Sequence, residues 1–257
     1  MNILVPVKQV PDLIEELEIN SDGTDLERDM LKYKMNEWDE SALEEALQLK
    51  ELHGGTVTAL ALATGDVDEM LYTCVARGAD RVVKIVGDFE EYHDSHTAAR
   101  ALAAAIREQP YDLILTGVQA ADDLDGQVGV LLATYLGIPH ISVVSGIEVE
   151  PLTRTATVRQ EYAGGIMATF EVDLPAMFGV QASRAIPRYA PVSRVRQAMK
   201  TAHIEEIEAT PSAGAGISVR RMFKPESTEH AEMLEGDADE IVNRVIEIFR
   251  ERGIWRA

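Results

Sequence analysis

The sequence contains very little cysteine: Cys74 is the single one among its 257 residues. One cysteine cannot form an internal disulfide, so we expect a reducing compartment such as the cytoplasm. No apolar run reaches the roughly 20 residues that a membrane-spanning helix needs. The first residues, MNILVPV, have the pattern of a strand and lack the basic region and cleavage site of a secretory signal peptide. We therefore expect a soluble protein.

Basic residues are also scarce. The chain has 24 Lys and Arg against 44 Asp and Glu, which gives a net charge of −20. Such a charge argues against a nucleic-acid-binding surface, although it leaves room for a nucleotide in one local pocket. It would suit docking onto a more basic protein, but a solvated acidic surface alone gives the same composition.

Strands and helices alternate through the first half of the sequence. Apolar runs at 2–7, 56–63, 81–86 and 111–116 predict strands buried on both faces, and amphipathic helical stretches separate most of them. This order predicts a parallel sheet with right-handed crossovers, in a Rossmann-like three-layer α/β/α fold.

The pattern changes after residue 139. Short runs at 141–149, 155–161, 166–171 and 176–180 predict added antiparallel strands, with a hairpin at Gly164-Gly165. We take residues 1–200 as the α/β domain.

The stretch LTGVQAADDLDGQVGV at 115–130 is the main candidate site. A buried strand enters it and a helix, predicted at 127–136, leaves it, while Gly117, Gly126 and Gly129 allow tight turns and close approach to a ligand. A helix N-terminus at the carboxyl end of a parallel strand suits a phosphate. The pattern is equally that of an ordinary turn, and it matches neither a Walker loop nor a full dinucleotide fingerprint.

Three acidic residues of this stretch, Asp122, Asp123 and Asp125, would repel a phosphate. We therefore expect their carboxylates to cap the helix or to accept hydrogen bonds from a ribose or a base.

Other candidates lie at the ends of neighbouring elements. The loops after Val7, Ala63 and Thr116 could share one crevice, and Lys8 would bring a cation to it. Asn36 is placed to cap the next helix. Trp38 falls in the first turn of that helix, where it either packs or, if exposed, meets a partner or stacks on a ring.

Residues 201–257 read as a C-terminal arm. A linker is predicted at 211–216, and a helix at 237–252 carries apolar residues along one side. That side either folds back onto the chain's own domain or lies on a partner subunit, and we favour the partner.

Catalytic patterns are missing. The sequence offers no Ser/His/Asp set and no reactive cysteine, and its six histidines show no metal-ligand spacing. We expect a protein that is not an enzyme by itself.

Several stretches together resemble the electron transfer flavoprotein β subunit. They are NILVPVKQVPD at 2–12, MNEWDESALEEALQLKE at 35–51, RGADR at 77–81, GVQAADD at 117–123 and GQVG at 126–129. The blocks come in family order and span residues 1–199.

The resemblance implies an electron carrier that works as a heterodimer with an α subunit holding the redox FAD. A second nucleotide, AMP or in bifurcating and nitrogen-fixation-linked members another FAD, would lie in the β subunit. Dehydrogenases such as acyl-CoA dehydrogenases would donate electrons and a quinone oxidoreductase would accept them. The compartment would be the cytoplasm, or the mitochondrial matrix in a eukaryote, and any membrane contact would be through partners. The nucleotide contacts implied are Val7, Lys8, Asn36, Asp39, Ala63, Gly65, Gly117, Val118, Gln119, Asp123, Gly126, Gln127, Val128, Gly129 and Val130.

Two further residues carry roles from the resemblance. Trp38 matches an aromatic position that faces the α-subunit flavin, and Val192 stands where the family's partner-recognition loop has an anchoring leucine. Asn36 is followed by Glu37 instead of the common proline, and the KQVPD stretch at 8–12 is closer to bifurcating members. The alternative from another class is a stand-alone adenine-nucleotide-binding regulatory module of the universal-stress-protein type.

Overall fold

The computed structural model describes residues 1–89, 94–210, 218–224 and 233–255. The chain divides into two compact units, Met1–Arg220 and Arg221–Ala257. The linker predicted at 211–216 lies outside the described residues.

The first unit is built around a nine-stranded sheet and a small two-stranded one. The strands are β1 (Asn2–Pro6), β2 (Gln9–Pro11), β3 (Tyr33–Met35), β4 (Thr56–Leu62), β5 (Arg81–Val86), β6 (Leu113–Gly117), β7 (His140–Glu150), β8 (Thr155–Tyr162), β9 (Ile166–Asp173), β10 (Ala176–Val180) and β11 (Ile204–Glu208). In the large sheet their order is β11-β5-β4-β1-β6-β10-β7-β8-β9.

In the part of this unit that the structure describes, the helices are α1 (Glu37–His53), α2 (Asp68–Arg77), α3 (Ser95–Arg107), α4 (Val128–Leu136) and α5 (Val192–Thr201). Successive residues of a strand point to opposite faces, so Ile3 and Val5 pack in one cluster with α1 and α2, while Leu4 packs in another with α3 and α4. Helices therefore cover both faces of the sheet, and the predicted α/β/α arrangement of a mostly parallel sheet is confirmed.

One strand was assigned wrongly from the sequence. Residues 176–180 do not extend the antiparallel run: β10 lies between β6 and β7 and pairs with both in parallel. All five of its residues are buried, as expected of a strand in the middle of a covered sheet. In the large sheet, as far as the structure describes it, the antiparallel strands are β7, β8 and β9, and a short 3-10 turn (Ala163–Gly165) joins β8 to β9 at Gly164-Gly165.

The polar stretch between β1 and α1 forms an excursion from the large sheet. β2 and β3 pair antiparallel at its base, an isolated bridge joins Ile19 to Leu26, and a 3-10 turn follows (Arg28–Met30). β11 forms one edge of the large sheet, where it pairs in parallel with β5 and so extends the sheet past residue 200.

The second unit contains α6 (Ala238–Glu251). Asp237 and Glu240 form a reciprocal capping box at its start, which fixes where the helix begins. No residue of α6 is buried, although its apolar residues recur at helical spacing. Among the helices that the structure describes, none combines the length and the apolar character that crossing a bilayer requires.

Candidate functional site

The predicted site lies at the carboxyl edge of three adjacent parallel strands. β4, β1 and β6 are neighbours in the sheet, so the loops that begin at Ala63, Val7 and Val118 lie at the same edge. Val7 is itself buried, and its backbone N–H donates to Leu60 O at 2.8 Å. The edge at which ligands bind in an open α/β sheet is thus formed as the sequence predicts.

Asp39 joins two of these strand ends. Its Oδ2 accepts a hydrogen bond from the backbone N–H of Lys8 at 2.8 Å, and its Oδ1 accepts one from Gly117 N–H at 3.0 Å. Burial raises the pKa of this carboxyl to about 7, against the opposing effect of those backbone donors. Because both oxygens are engaged, Asp39 fixes the spacing of the two loops from beneath.

Gly117 leaves the room that this junction needs. A Cβ at this position would overlap Asp39 Oδ1 and would lie 2.7 Å from Trp38 Cβ and 2.8 Å from Trp38 C. The first turn of α1 therefore packs directly on the backbone of the candidate loop. Trp38 lies in this first turn, as predicted, and is half-buried.

Asn36 occupies the N-cap position of α1, but the prediction that its side chain caps the helix is wrong. Its Nδ2 donates to Gln119 O at 2.8 Å, and its Oδ1 accepts from Ala121 N–H at 3.2 Å. The side-chain amide thus donates one hydrogen bond to the backbone of the loop after β6 and accepts one from it, as a neighbouring strand would. Those two partners lie more than 80 residues away in sequence, and such partners cannot be read from a local capping pattern.

The acidic residues of the loop all have partners within the protein. Lys8 Nζ lies 2.7 Å from Asp122 Oδ1 and 2.9 Å from Asp123 Oδ2, so the predicted cation is paired with the loop. Asp125 accepts hydrogen bonds from Ser95 Oγ at 2.6 Å and Gln127 Nε2 at 2.8 Å. None of the three caps α4, whose N-cap residue is Gln127, so that part of the prediction is wrong.

The first turn of α4 has features that suit an anion. Gln127 makes no side-chain cap, and Gly126 has a positive φ of 65° that turns the chain into the helix. The Thr116 hydroxyl is buried without a hydrogen-bond partner in the described part of the chain. A Cβ at Gly129 would lie 3.2 Å from that Oγ1 and 3.3 Å from His140 Nε2. Backbone donors at this turn would fit a phosphate, as the glycine spacing suggests.

Four other predicted residues, Ala63, Gly65, Val118 and Val192, have no polar side chain that could join these hydrogen bonds. Ala63 and Gly65 follow β4 at the same edge, and Gly65 is exposed with φ of 147°. Val192 is the first residue of α5 and is exposed. Val118 is held to the sheet by its N–H, which donates to Val180 O at 3.1 Å.

From the sequence, no site role was predicted for the side chains of three residues of this region: Ser95, Thr116 and His140. Ser95 reaches Asp125 only because α3 and α4 pack side by side on the same face of the sheet, and no local pattern predicts that contact. Burial lowers the pKa of His140. For these three residues the sequence offers one signal of a site role: Thr116 is a polar residue at the end of a buried strand.

Comparison with known proteins identifies the family. Residues 25–212 match the model of the electron transfer flavoprotein domain. The chain is 36% identical over 262 residues to the electron transfer flavoprotein subunit beta of Methylophilus methylotrophus, covering 98% of both chains. It is 29% identical to the Bacillus subtilis subunit beta, covering 97% of this chain and 98% of that one. It is also 29% identical to the mitochondrial subunit beta of Arabidopsis thaliana, covering 95% and 97%.

The fold is that of a Rossmann-like α/β protein with its candidate site at the carboxyl edge of the sheet. With a match that covers nearly the whole length of its relatives, the chain belongs to the electron transfer flavoprotein family.

Proposed function

We propose that this chain is the β subunit of a heterodimeric electron carrier, and that it is not an enzyme by itself. The observation that carries the proposal is the match to subunits named beta along 98% of the chain. The α subunit would hold the redox FAD, which supplies the electron-carrying chemistry when bound. The chain would work in the cytoplasm, or in the mitochondrial matrix of a eukaryote.

A second nucleotide, AMP or another FAD, would bind at the edge formed by β1, β4 and β6. Backbone N–H groups of residues 126–130 would hold its phosphate, supported by the uncapped first turn of α4. Repulsion from the acidic loop is reduced because Lys8 pairs with two of its carboxylates and Asp125 accepts two hydrogen bonds. Val7, Ala63, Gly65 and the 117–119 backbone would line the rest of the crevice.

Asn36 and Asp39 would act on the nucleotide through the loops that they hold. Their side chains are engaged with backbone groups at Lys8, Gly117, Gln119 and Ala121. They would therefore set the shape of the crevice and exclude water from beneath it, while Trp38 would face the flavin of the α subunit.

Within the C-terminal arm predicted at 201–257, residues 204–208 form β11 of the sheet, and it is α6 that would pack on the α subunit. α6 carries Ile241, Val242, Val245, Ile246 and Phe249 at helical spacing, and no residue of the helix is buried. A helix with such a face is stable when another surface covers it. The donors would be acyl-CoA or other dehydrogenases, which would meet the region of Val192, and the acceptor would be a quinone oxidoreductase.

Nucleotide counting tests the proposal. The chain is co-expressed with its α subunit, the complex is purified, and the nucleotides released on denaturation are identified and counted per heterodimer. One FAD with one AMP would support a simple electron shuttle, and two FAD would support a two-flavin relay. A colourless homodimer containing ATP, or no stable complex with α, would overturn the proposal and favour a regulatory module.

A further inference from the structure

The segment 184–192, which ends in the first residue of α5, is fastened to the middle of α1. Two adjacent glutamates of that helix, Glu44 and Glu45, each hold one arginine of the segment. The residues paired lie about 140 positions apart in sequence, so these contacts fix where the segment crosses the helix.

Glu44 makes the more extensive set of contacts with Arg188. Its Oε2 accepts from the backbone N–H of Arg188 at 3.0 Å and from Nε at 2.8 Å, and its Oε1 accepts from Nη2 at 2.8 Å. Glu51, two helical turns further along α1 and exposed, accepts from Nη1 at 2.7 Å. Burial raises the pKa of Glu44, but hydrogen bonds from Arg188 outweigh that effect and leave the pKa lowered. This fork holds both the backbone and the guanidinium.

Glu45 provides a second point of attachment and is almost fully buried. Its Oε2 accepts from the backbone N–H of Arg184 at 3.1 Å, and its Oε1 forms an ion pair with Arg184 Nε at 2.9 Å. A charge this deeply buried is costly unless it is paired, so the chain has a strong preference for keeping Arg184 in place.

Between and beyond these anchors, the segment exposes large apolar side chains. Ile186 is 91% exposed, Tyr189 is 78% exposed and Val192 is 60% exposed. A segment with an anchored backbone and exposed apolar side chains suits the binding of a partner, because little conformational entropy of the segment remains to be lost on binding.

We propose that Glu44 and Glu45 are positioning residues that hold the 184–192 segment in one conformation, so that Ile186, Tyr189 and Val192 are presented together to an electron-donating dehydrogenase. This inference rests on the proposed function, in which that segment meets the donor. It adds the feature that holds the segment, and it assigns that role to α1, the helix that follows Asn36 and carries Asp39.

Limited trypsin digestion of the purified heterodimer tests the anchoring without any donor. In Glu44→Gln, cleavage after Arg188 should become about tenfold faster, because removing one partner of a buried ion pair releases the other. Glu205→Gln is the matched control, because it makes the same change of charge and breaks the 2.6 Å pair with Arg81, on the face of the sheet away from α1. Cleavage after Arg188 should be unchanged in this variant. Arg188→Lys, which keeps the charge and the cleavage site, should fall between wild type and Glu44→Gln.

Steady-state electron transfer tests the presentation. The donor is the purified acyl-CoA dehydrogenase, with the heterodimer as varied substrate. Glu44→Gln should raise KM about fivefold with kcat unchanged, and Arg188→Lys should raise it less, since uniform loss of binding acts on KM alone. Reduction of the flavin by dithionite should be the same in wild type and both variants.

The outcomes separate the two levels of the proposal. Unchanged cleavage in both Glu44→Gln and Arg188→Lys would overturn the anchoring. Faster cleavage with an unchanged KM would overturn the presentation. If Tyr189→Ala also leaves KM unchanged, it is the donor contact in the proposed function that fails, and the digestion result stands by itself.

Discussion

Helices α1 and α6 differ in how much of each helix the chain itself buries. Both carry apolar residues at helical spacing. α1 buries eight of its seventeen residues, two of them glutamates, whereas α6 buries none of its fourteen. An amphipathic pattern therefore shows that a helix has a face to cover, but it does not show which surface covers it.

The contacts of α1 explain its burial. Its first turn packs on Gly117, its Asp39 joins the ends of β1 and β6, and its middle holds the 184–192 segment through Glu44 and Glu45. Its apolar residues pack against the sheet. α1 thus links the candidate nucleotide site to the exposed segment, while α6 begins with a capping box that depends on nothing outside its own turn.

Truncation in the buried face of α1 should have the largest effect. Leu43 is fully buried against the sheet, so Leu43→Ala should lower the free energy of unfolding by about 2–5 kcal/mol through the cavity it leaves. Urea denaturation of the full chain measures this as a lower midpoint with an unchanged slope. Leu52→Ala, at an exposed position of the same helix, should stay within about 0.5 kcal/mol of wild type. Equal losses for the two variants would contradict the assigned burial.

Crowding the junction of α1 and β6 should have the next largest effect. In Gly117→Ala the added methyl meets Asp39 and the Trp38 backbone, and relieving that overlap should cost about 1–3 kcal/mol. The variant should also retain less nucleotide on purification, since the strain falls on the loop proposed to hold it. Gly129→Ala, where the neighbours lie 3.2 Å or more away, should lose less stability. The same urea curves rank the two, and a reversed order would argue against the packing at Gly117.

The buried Asp39 should give a smaller, pH-dependent effect. Its pKa is about 7 in the folded chain against 3.8 as the ordinary value, so the folded state binds the extra proton between those pH values. Stability from this group is therefore full below about pH 4 and falls as the pH rises toward 7, by at most ~1.4 kcal/mol per pH unit. The advantage of wild type over Asp39→Asn should then shrink from pH 5 to pH 8 in chemical denaturation. An advantage that stays constant over this range would mean that the carboxylate is already charged at pH 5 in the folded chain.

Most elements could be predicted from periodicity because burial imposes it locally. The strand 81–86 follows directly from that pattern, and so do α2 and α3, which the pattern marks at about 67–77 and 96–108. The site could be predicted in outline, since strand ends of a parallel sheet share an edge. Its internal contacts could not: Asn36 has the local pattern of a cap, yet its amide pairs with Gln119 and Ala121, which only the fold brings near.

The position of β10 in the sheet was also predicted wrongly, although its sequence carried one signal of the correct position. Its sequence, AMFGV, is continuously apolar, which is typical of a strand buried on both faces of a parallel sheet. Position along the chain, directly after an antiparallel hairpin, suggested the opposite. Burial on both faces decides the case, because an edge strand of an antiparallel extension would have a solvated face.

The smallest effect on the chain itself is expected at α6, and that is what distinguishes it from α1. Phe249 is 41% exposed, so Phe249→Ala should change the unfolding of the full chain alone by no more than about 0.5 kcal/mol. If the α subunit covers this face, the same change should weaken the heterodimer about tenfold, as expected when a buried aromatic anchor is truncated. Arg252→Ala, an exposed change just after the helix, serves as the control and should leave the dissociation constant unaltered. Because the prediction pairs a silent result on the single chain with a clear one on the complex, loss of stability in the chain alone would show that α6, like α1, is buried by its own chain.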